Sequence, residues 1–462
     1  MTRTLFTGGT VASATGSLRA DVLVIDETVA AVGDLSQLAA TMDMDIVDVS
    51  GRLLLPGGVD VHTHLDSGLN GPRTADDFES GTIAAAAGGT TTLVDFAAQA
   101  PGLGLMDSLA AHADKARGKA VVDYGFHMCV SDLYDGAMAD FADVVASGVT
   151  SFKVFMAYRG TLMLNDGQLF DVLRRAGSLG AQVCVHAENG DVIDRLAADL
   201  VASGTTGPRG HLLSRPPKTE VEAVHRAIAI ADMASAPIYF VHVSTAGAVE
   251  AVAAARRNGG AVAAETCTHY LTLDPEMYDA PGFEGGKVVL TPPLRSEEHR
   301  NALWEGLGLG DLSVVSSDHC PYCLVDKERY GKDDFRQIPN GGPGVEHRLP
   351  VLYGQGVATG RLGIERFVEL TATAPAKQFG LYPRKGVIAA GSDADLVVLN
   401  PNGEIRISAD TQHQRIDYTP WEGWVLPGRI TQVWSRGELI VEDGRYVGAP
   451  GRGRFLARST VS

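Results

Sequence analysis

Pro56-Gly57-Gly58-Val59-Asp60-Val61-His62-Thr63-His64 follows the apolar run Leu53-Leu54-Leu55 and reads as a buried strand running out to a surface. Alternate side chains on a strand share a face, so His62 and His64 point the same way. Two imidazoles side by side at a strand end can grip one metal ion, with their orientation fixed by the sheet. Taken alone, the pair reads equally well as two ordinary strand histidines. The rest of the chain decides between these readings.

Beyond the pair the chain alternates strand and helix. Strand candidates cover 54–64, 91–96, 122–128, 151–156, 182–188, 238–244, 261–270 and 313–318. Stretches rich in Ala and Leu, such as 77–87, 167–179, 218–234 and 246–258, supply the helices. Eight β/α units predict a closed (β/α)8 barrel of the TIM type. A doubly wound sheet is the alternative, but no Gly-x-Gly-x-x-Gly follows the first strand.

The flanks have a different character. Short strands at 5–11, 21–26 and 28–32 are matched by strands at 395–399, 430–434 and 438–441. Neither end has enough residues for a core of its own, so the two are expected to pair into one small β-sandwich. Residues 1–55 and 386–445 would form that sandwich, 56–385 the catalytic barrel, and 446–462 an extended tail.

At 462 residues the chain is long enough for one large and one smaller domain. A formal charge of −17 argues against nucleic acid or an anionic membrane as partner. No apolar run is long enough to span a bilayer, and the Met-Thr-Arg-Thr start lacks a secretory signal. A cytoplasmic location is the expectation. Cys129, Cys184, Cys267, Cys320 and Cys323 read as reduced structural thiols. Cys320-Pro-Tyr-Cys323 lies outside the βαβ context of a redox motif.

A barrel places its chemistry at the C-terminal ends of its strands. Here those ends carry His62 and His64, then Lys153, His186, His242 and Asp318. As core residues each would need its own partner. Four imidazoles and a carboxylate suit zinc, with manganese or cobalt allowed by ligand type, and point to metal-assisted hydrolysis. Read alone, Lys153 is a strand-end lysine in a salt bridge, because an ammonium repels divalent cations. It fits the set if CO2 has converted it to a carbamate, whose two oxygens can bridge two ions.

These segments, together with Ser-Phe-Lys153-Val-Phe-Met-Ala-Tyr158, Val-His186-Ala-Glu-Asn-Gly, Val-His242-Val-Ser and Ser-Asp318-His-Cys, resemble the amidohydrolase superfamily. More closely, the chain resembles the dihydropyrimidinase/hydantoinase family of cyclic amidohydrolases. Gly88-Gly-Thr-Thr-Thr-Leu-Val-Asp95, Thr291-Pro-Pro-Leu-Arg295, Asp334 to Gly344 and Gly391-Ser-Asp-Ala-Asp395 fit as well. The likeness runs from about Leu53 to the tail.

The resemblance implies a binuclear centre. His62, His64 and Asp318 would hold one metal, His186 and His242 the other, and carboxylated Lys153 would bridge both. A hydroxide between the ions would attack a ring carbonyl. Asp318 would pass a proton to the leaving nitrogen, and Tyr158 would stabilise the oxyanion. Backbone groups at Thr291 and Asn340 would read the flat -CO-NH-CO- edge of dihydropyrimidines and hydantoins. A homotetramer, with the tail reaching a neighbour, is implied too.

Asp66-Ser-Gly-Leu-Asn70 departs from the apolar loop of many hydantoinases, leaving the ring substituent open. Leu65, Phe152 and Arg159 are further pocket-wall candidates. His127 and His269 read as satisfied core residues. His319 alternates away from Asp318, and His112, His211, His225, His299, His347 and His413 are expected to face solvent. Allantoinase and dihydroorotase share the fold. Dihydroorotases tend to carry an arginine where this chain has Asp66, and allantoinases usually lack the equivalent of Tyr158. Non-catalytic scaffold relatives have lost metal ligands, whereas all six are present here.

Overall fold

The opening stretch is not one strand. In the computed structural model, which describes residues 2–38, 43–68 and 72–460, it changes sheet at Gly57. Leu53–Pro56 pairs antiparallel with Leu396–Arg406 and parallel with Thr10–Ser13. Gly58–Thr63 pairs instead with Thr90–Ala97. The expectation of a continuous strand from Leu54 to His64 is thereby corrected. Pro56 has no N–H to continue a ladder, Gly57 donates its own to the Asp395 carbonyl at 2.9 Å, and a Cβ there would collide with Thr91.

Gly58–Thr63 is the first barrel strand, β1. It is followed by Thr90–Ala97 (β2), Asp123–Cys129 (β3), Ser151–Phe155 (β4), Gln182–His186 (β5), Ile238–Phe240 (β6), Val262–Cys267 (β7) and Val314–Ser316 (β8). Their order in the sheet is their order in the chain, all parallel. Thr63 bridges to His319 just beyond β8, and the His64 N–H donates to the His319 carbonyl at 2.8 Å, which draws the ring together. The expected helices are present as Phe78–Ala87, Asp166–Ser178, Pro217–Ala234 and Ala246–Arg257. Asp77 caps the first, accepting from the backbone of Glu79 and Ser80.

β6, β7 and β8 stop short of the lengths read from sequence. His242 and Asp318 adopt left-handed backbone, with φ of 41° and 47°, and a residue there cannot continue a ladder. Cys267 opens the short helix Thr268–Thr272 instead of extending β7 to Tyr270.

The chain ends do share a sheet. Arg3–Thr7, Asp21–Ile25, Thr28–Gly33 and Asp45–Asp48 form one layer. Seven strands, drawn from residues 10–56 and 396–446, form the other. Phe6, Val22, Leu54, Leu396 and Val398 fill the space between, with Phe6 edge-on to Trp434 at 5.1 Å. A buried ion cluster ties sandwich to barrel: Lys385 Nζ lies 2.7 Å from Asp123 and 2.8 Å from Asp395, and Arg436 also pairs with Asp123.

After Tyr446 the chain runs back over its own barrel. Tyr124 donates to the Arg454 carbonyl, and Leu456 donates to the Tyr124 carbonyl. Leu456 is buried among the barrel residues Val59 and Val94, while Arg458 donates to the Phe126 carbonyl and to Ser151 Oγ. Among the described residues no helix is long and apolar enough to cross a membrane.

Candidate active site

β1 delivers His62 and His64 to the mouth of the barrel, β4 delivers Lys153 and β5 ends on His186. His242 and Asp318 follow β6 and β8 within two residues. All six line a single pocket with Tyr158, Thr291 and Asn340. The six candidate metal ligands and the three candidate substrate-binding residues therefore converge on one place. Phe155, Cys320, Tyr322 and Gly341 complete the wall.

Asp318 Oδ1 lies 3.1 Å from His62 Nε2 and 3.4 Å from His64 Nε2, and the ligand atoms of all three fall within 4.8 Å of one another. His186 Nδ1 faces His242 Nε2 at 3.0 Å. The His62 and His242 ring centroids are 5.4 Å apart, so the two groups adjoin. Lys153 is buried, its Nζ 5.0 Å from the Phe96 centroid and 5.1 Å from that of Phe155. No carboxylate pairs with it among the described residues. A three-donor cluster beside a facing imidazole pair has the chemistry of two adjoining divalent-cation sites. Lys153 lines the same pocket without the carboxylate partner that would mark it as one half of a structural ion pair.

Burial disfavours charge on these groups, and their neighbours decide the balance. For Asp318, burial is outweighed by His62 and His64, which hold the carboxyl well below its usual range. Burial opposes charge on His62 too, but the carboxylates of Asp318 and Glu265 raise its pKa to about 9. His64, His186 and, more strongly, His242 are pushed down by burial. Burial also lowers Lys153. It raises Tyr158 to about 12 against the pull of Arg215, so the phenol stays protonated. Asn340, also in the lining, has its Oδ1 buried without a hydrogen-bond partner.

Sequence reasoning missed the carboxylates behind the ligands. Glu265 on β7, fully buried, accepts from His62 Nδ1 and, at 3.0 Å, from the Tyr239 hydroxyl. Glu188 pairs with His186 Nε2 at 3.0 Å. Each fixes which ring nitrogen faces the pocket. A lone glutamate in Val-Ala-Ala-Glu265-Thr-Cys was the available signal, since a charge in an apolar strand demands a partner.

The remaining histidines divide. His127 is a satisfied core residue, 3.0 Å from the Val61 carbonyl and 2.6 Å from Ser151 Oγ. His269 is buried with Nε2 unpartnered. His319 turns away from the pocket to Asp76, at 3.1 Å. Three expected in solvent are buried, which corrects that reading. His112 pairs with Asp95 at 2.8 Å, His211 with the Leu290 carbonyl at 2.8 Å, and His347 packs against Trp421. His112 and His211 lie in helices and His347 just before one, and which side of each element turns inward depends on tertiary packing. His225 is exposed, and His299 and His413 are half-buried.

Of the pocket-wall candidates, Phe152 stacks on Phe141 at 4.1 Å behind the barrel and Leu65 lies buried against Gly81. Arg159 is at the exposed rim, 3.3 Å from Asp191. None of the three lines the pocket. Asp66 pairs with Arg73; Leu69 and Asn70 lie outside the described residues.

The amidohydrolase family model matches residues 53–440. D-hydantoinase of Streptomyces coelicolor is 46% identical over 99% of this chain and 98% of its own length. D-hydantoinase of Geobacillus stearothermophilus is 45% identical over 98% and 96%. The crystal structure of dihydropyrimidinase from Brevibacillus agri superposes with a TM-score of 0.97 at 46% identity, covering 100% of this chain and 99% of that one. With the geometry of the site, these similarities lead to one conclusion: the chain belongs to the amidohydrolase family, in its dihydropyrimidinase/hydantoinase branch of hydrolases.

Proposed function

We propose that the protein opens 5,6-dihydropyrimidines and 5-substituted hydantoins by hydrolysing the cyclic amide bond, giving N-carbamoyl amino acids. The observation that carries this reading is the convergence of His62, His64 and Asp318 on one point beside His186, His242 and Lys153. His62, His64 and Asp318 would hold one divalent ion, His186 and His242 the second, with Lys153, as N6-carboxylysine, shared between them. Zinc suits this donor set best, and manganese or cobalt also fit. When bound, two such ions lower the pKa of water and polarise a carbonyl.

The chain's own residues account for the rest. Burial lowers the Lys153 pKa and so favours the neutral amine that reacts with CO2. Thr291 and Asn340 receive the -CO-NH-CO- edge of the ring. The Tyr158 hydroxyl, kept protonated by burial, donates to the oxyanion as the carbonyl carbon becomes tetrahedral. Asp318 takes a proton from the attacking water and delivers it to the ring nitrogen as the C–N bond breaks. Water adds across that bond, hydroxyl to carbon and hydrogen to nitrogen.

We also infer the division into a sandwich of 1–55 and 386–445, a barrel of 56–385 and a tail of 446–462, a homotetramer, and a cytoplasmic location. The sheet change at Gly57 supports the first boundary. Ring opening of dihydrouracil, a 5-substituted hydantoin, allantoin and dihydroorotate by metal-replete protein tests the function. Turnover of either of the first two is expected, and turnover confined to the last two would overturn the substrate assignment.

A further inference from the structure

One buried lysine joins the two backbone segments that carry Thr291 and Asn340. Lys327, on the helix Leu324–Gly331, is fully buried. Its Nζ lies 3.0 Å from the Gly286 carbonyl, 3.0 Å from that of Val289 and 2.5 Å from that of Gly341. No carboxylate pairs with it among the described residues; the ring of Tyr418 lies 5.9 Å away.

An ammonium has three donors and no acceptor, and here each donor meets a main-chain oxygen. Burying a cation without a counter-ion is costly, so space filling alone would call for an apolar side chain. What the ammonium supplies is a common partner for three carbonyls drawn from separate stretches of chain. Val289 stands two residues before Thr291, and Gly341 directly follows Asn340. The Gly341 N–H also donates to the Val289 carbonyl at 3.0 Å. On the far side of the first segment His211 donates to the Leu290 carbonyl at 2.8 Å.

We propose that Lys327 is a positioning residue for substrate binding, clamping residues 286–291 to residues 340–341 at the spacing that a flat -CO-NH-CO- edge requires. The inference rests on the assignment of Thr291 and Asn340 as the groups that meet the ring. Lys327 does not line the pocket, and it acts through the two segments it holds. Preorganised groups bind without an ordering cost. Loosening them weakens ground state and transition state alike, which raises KM and leaves kcat little changed.

The test compares Lys327→Met, Lys327→Gln and the exposed Lys332→Met in metal-replete protein. It measures steady-state kinetics on whichever ring the wild type opens, metal content, and hydrogen–deuterium exchange by peptide. Lys327→Met is expected to raise KM about ten-fold with kcat within about three-fold of wild type. Metal content should be unchanged, with faster exchange confined to 286–291 and 339–342. Lys327→Gln, which keeps two donors, should lie between, and Lys332→Met should match wild type. Unchanged KM and exchange in a folded Lys327→Met would overturn the proposal. So would a fall in kcat with accelerated exchange throughout the barrel, the signature of a merely structural role. Should Lys327→Met fail to fold, Lys327→Gln decides by the same measurements. A wild type that opens none of the four rings overturns the function, while the exchange result still decides the clamp.

Discussion

Replacing Glu265 should loosen the metal centre from behind. Its carboxylate accepts from His62 Nδ1, from the Tyr239 hydroxyl at 3.0 Å and from the His242 backbone N–H at 3.4 Å. It therefore touches both halves of the ligand set. In Glu265→Ala the His62 and Tyr239 donors, both buried, lose their acceptor at about 1–3 kcal/mol each, so a loss of roughly 2–6 kcal/mol in stability is expected. Glu265→Gln keeps the volume and at least one acceptor, which makes it the cleaner probe. Losing the carboxylate behind a ligating imidazole costs about 10–100-fold in metal affinity, or roughly 1.4–2.8 kcal/mol. The assay is metal content by mass spectrometry after equilibration with graded chelator, alongside a thermal melt. The chelator midpoint of Glu265→Gln should fall by at least about ten-fold. A folded variant that releases metal at the wild-type midpoint would refute the reasoning.

Tyr158→Phe should lower kcat by about 10²–10³-fold with the metal content intact, as removal of one oxyanion donor does; single-turnover kinetics would measure it. Metal-free protein reloaded in CO2-depleted buffer should regain activity more slowly than with bicarbonate added, and Lys153→Ala should show no such dependence. In metal-free protein, His62 stabilises the fold fully below its unfolded value of 6.5 and loses that contribution as pH rises through about 9. His62→Asn should flatten this alkaline decline in melting temperature. Burial holds His127, His211 and His242 well below 6.5, so the unfolded chain binds their protons first. Stability should therefore also fall as pH drops below 6.5.

The barrel and its mouth were legible because strand periodicity and the rule of C-terminal strand ends act over a few residues. His62, Lys153 and His186 could each be placed from neighbours alone. Where a strand ends was less visible. His242 and Asp318 interrupt their ladders with left-handed backbone, which His and Asp adopt more readily than most residues but which no turn signal marks at these two positions. Long-range pairing was also hidden: nothing near His211 announces the Leu290 carbonyl, and nothing near Lys327 announces Gly341. The break at Gly57 stands between, because Pro-Gly marks a possible turn and only the partner strand at Leu396 makes it a change of sheet.

That change of sheet also sets an order of assembly. Leu53–Pro56 emerges from the ribosome early, but its antiparallel partner is synthesised roughly 340 residues later, on the order of tens of seconds at ordinary elongation rates. Over the same interval β1, covalently continuous with it, has β2 available within about thirty residues. Vectorial synthesis thus favours barrel pairing around His62 and His64 before the flanking sandwich can close. It leaves Leu53-Leu54-Leu55 as an apolar strand edge that the nascent chain must keep shielded until Leu396–Arg406 arrives.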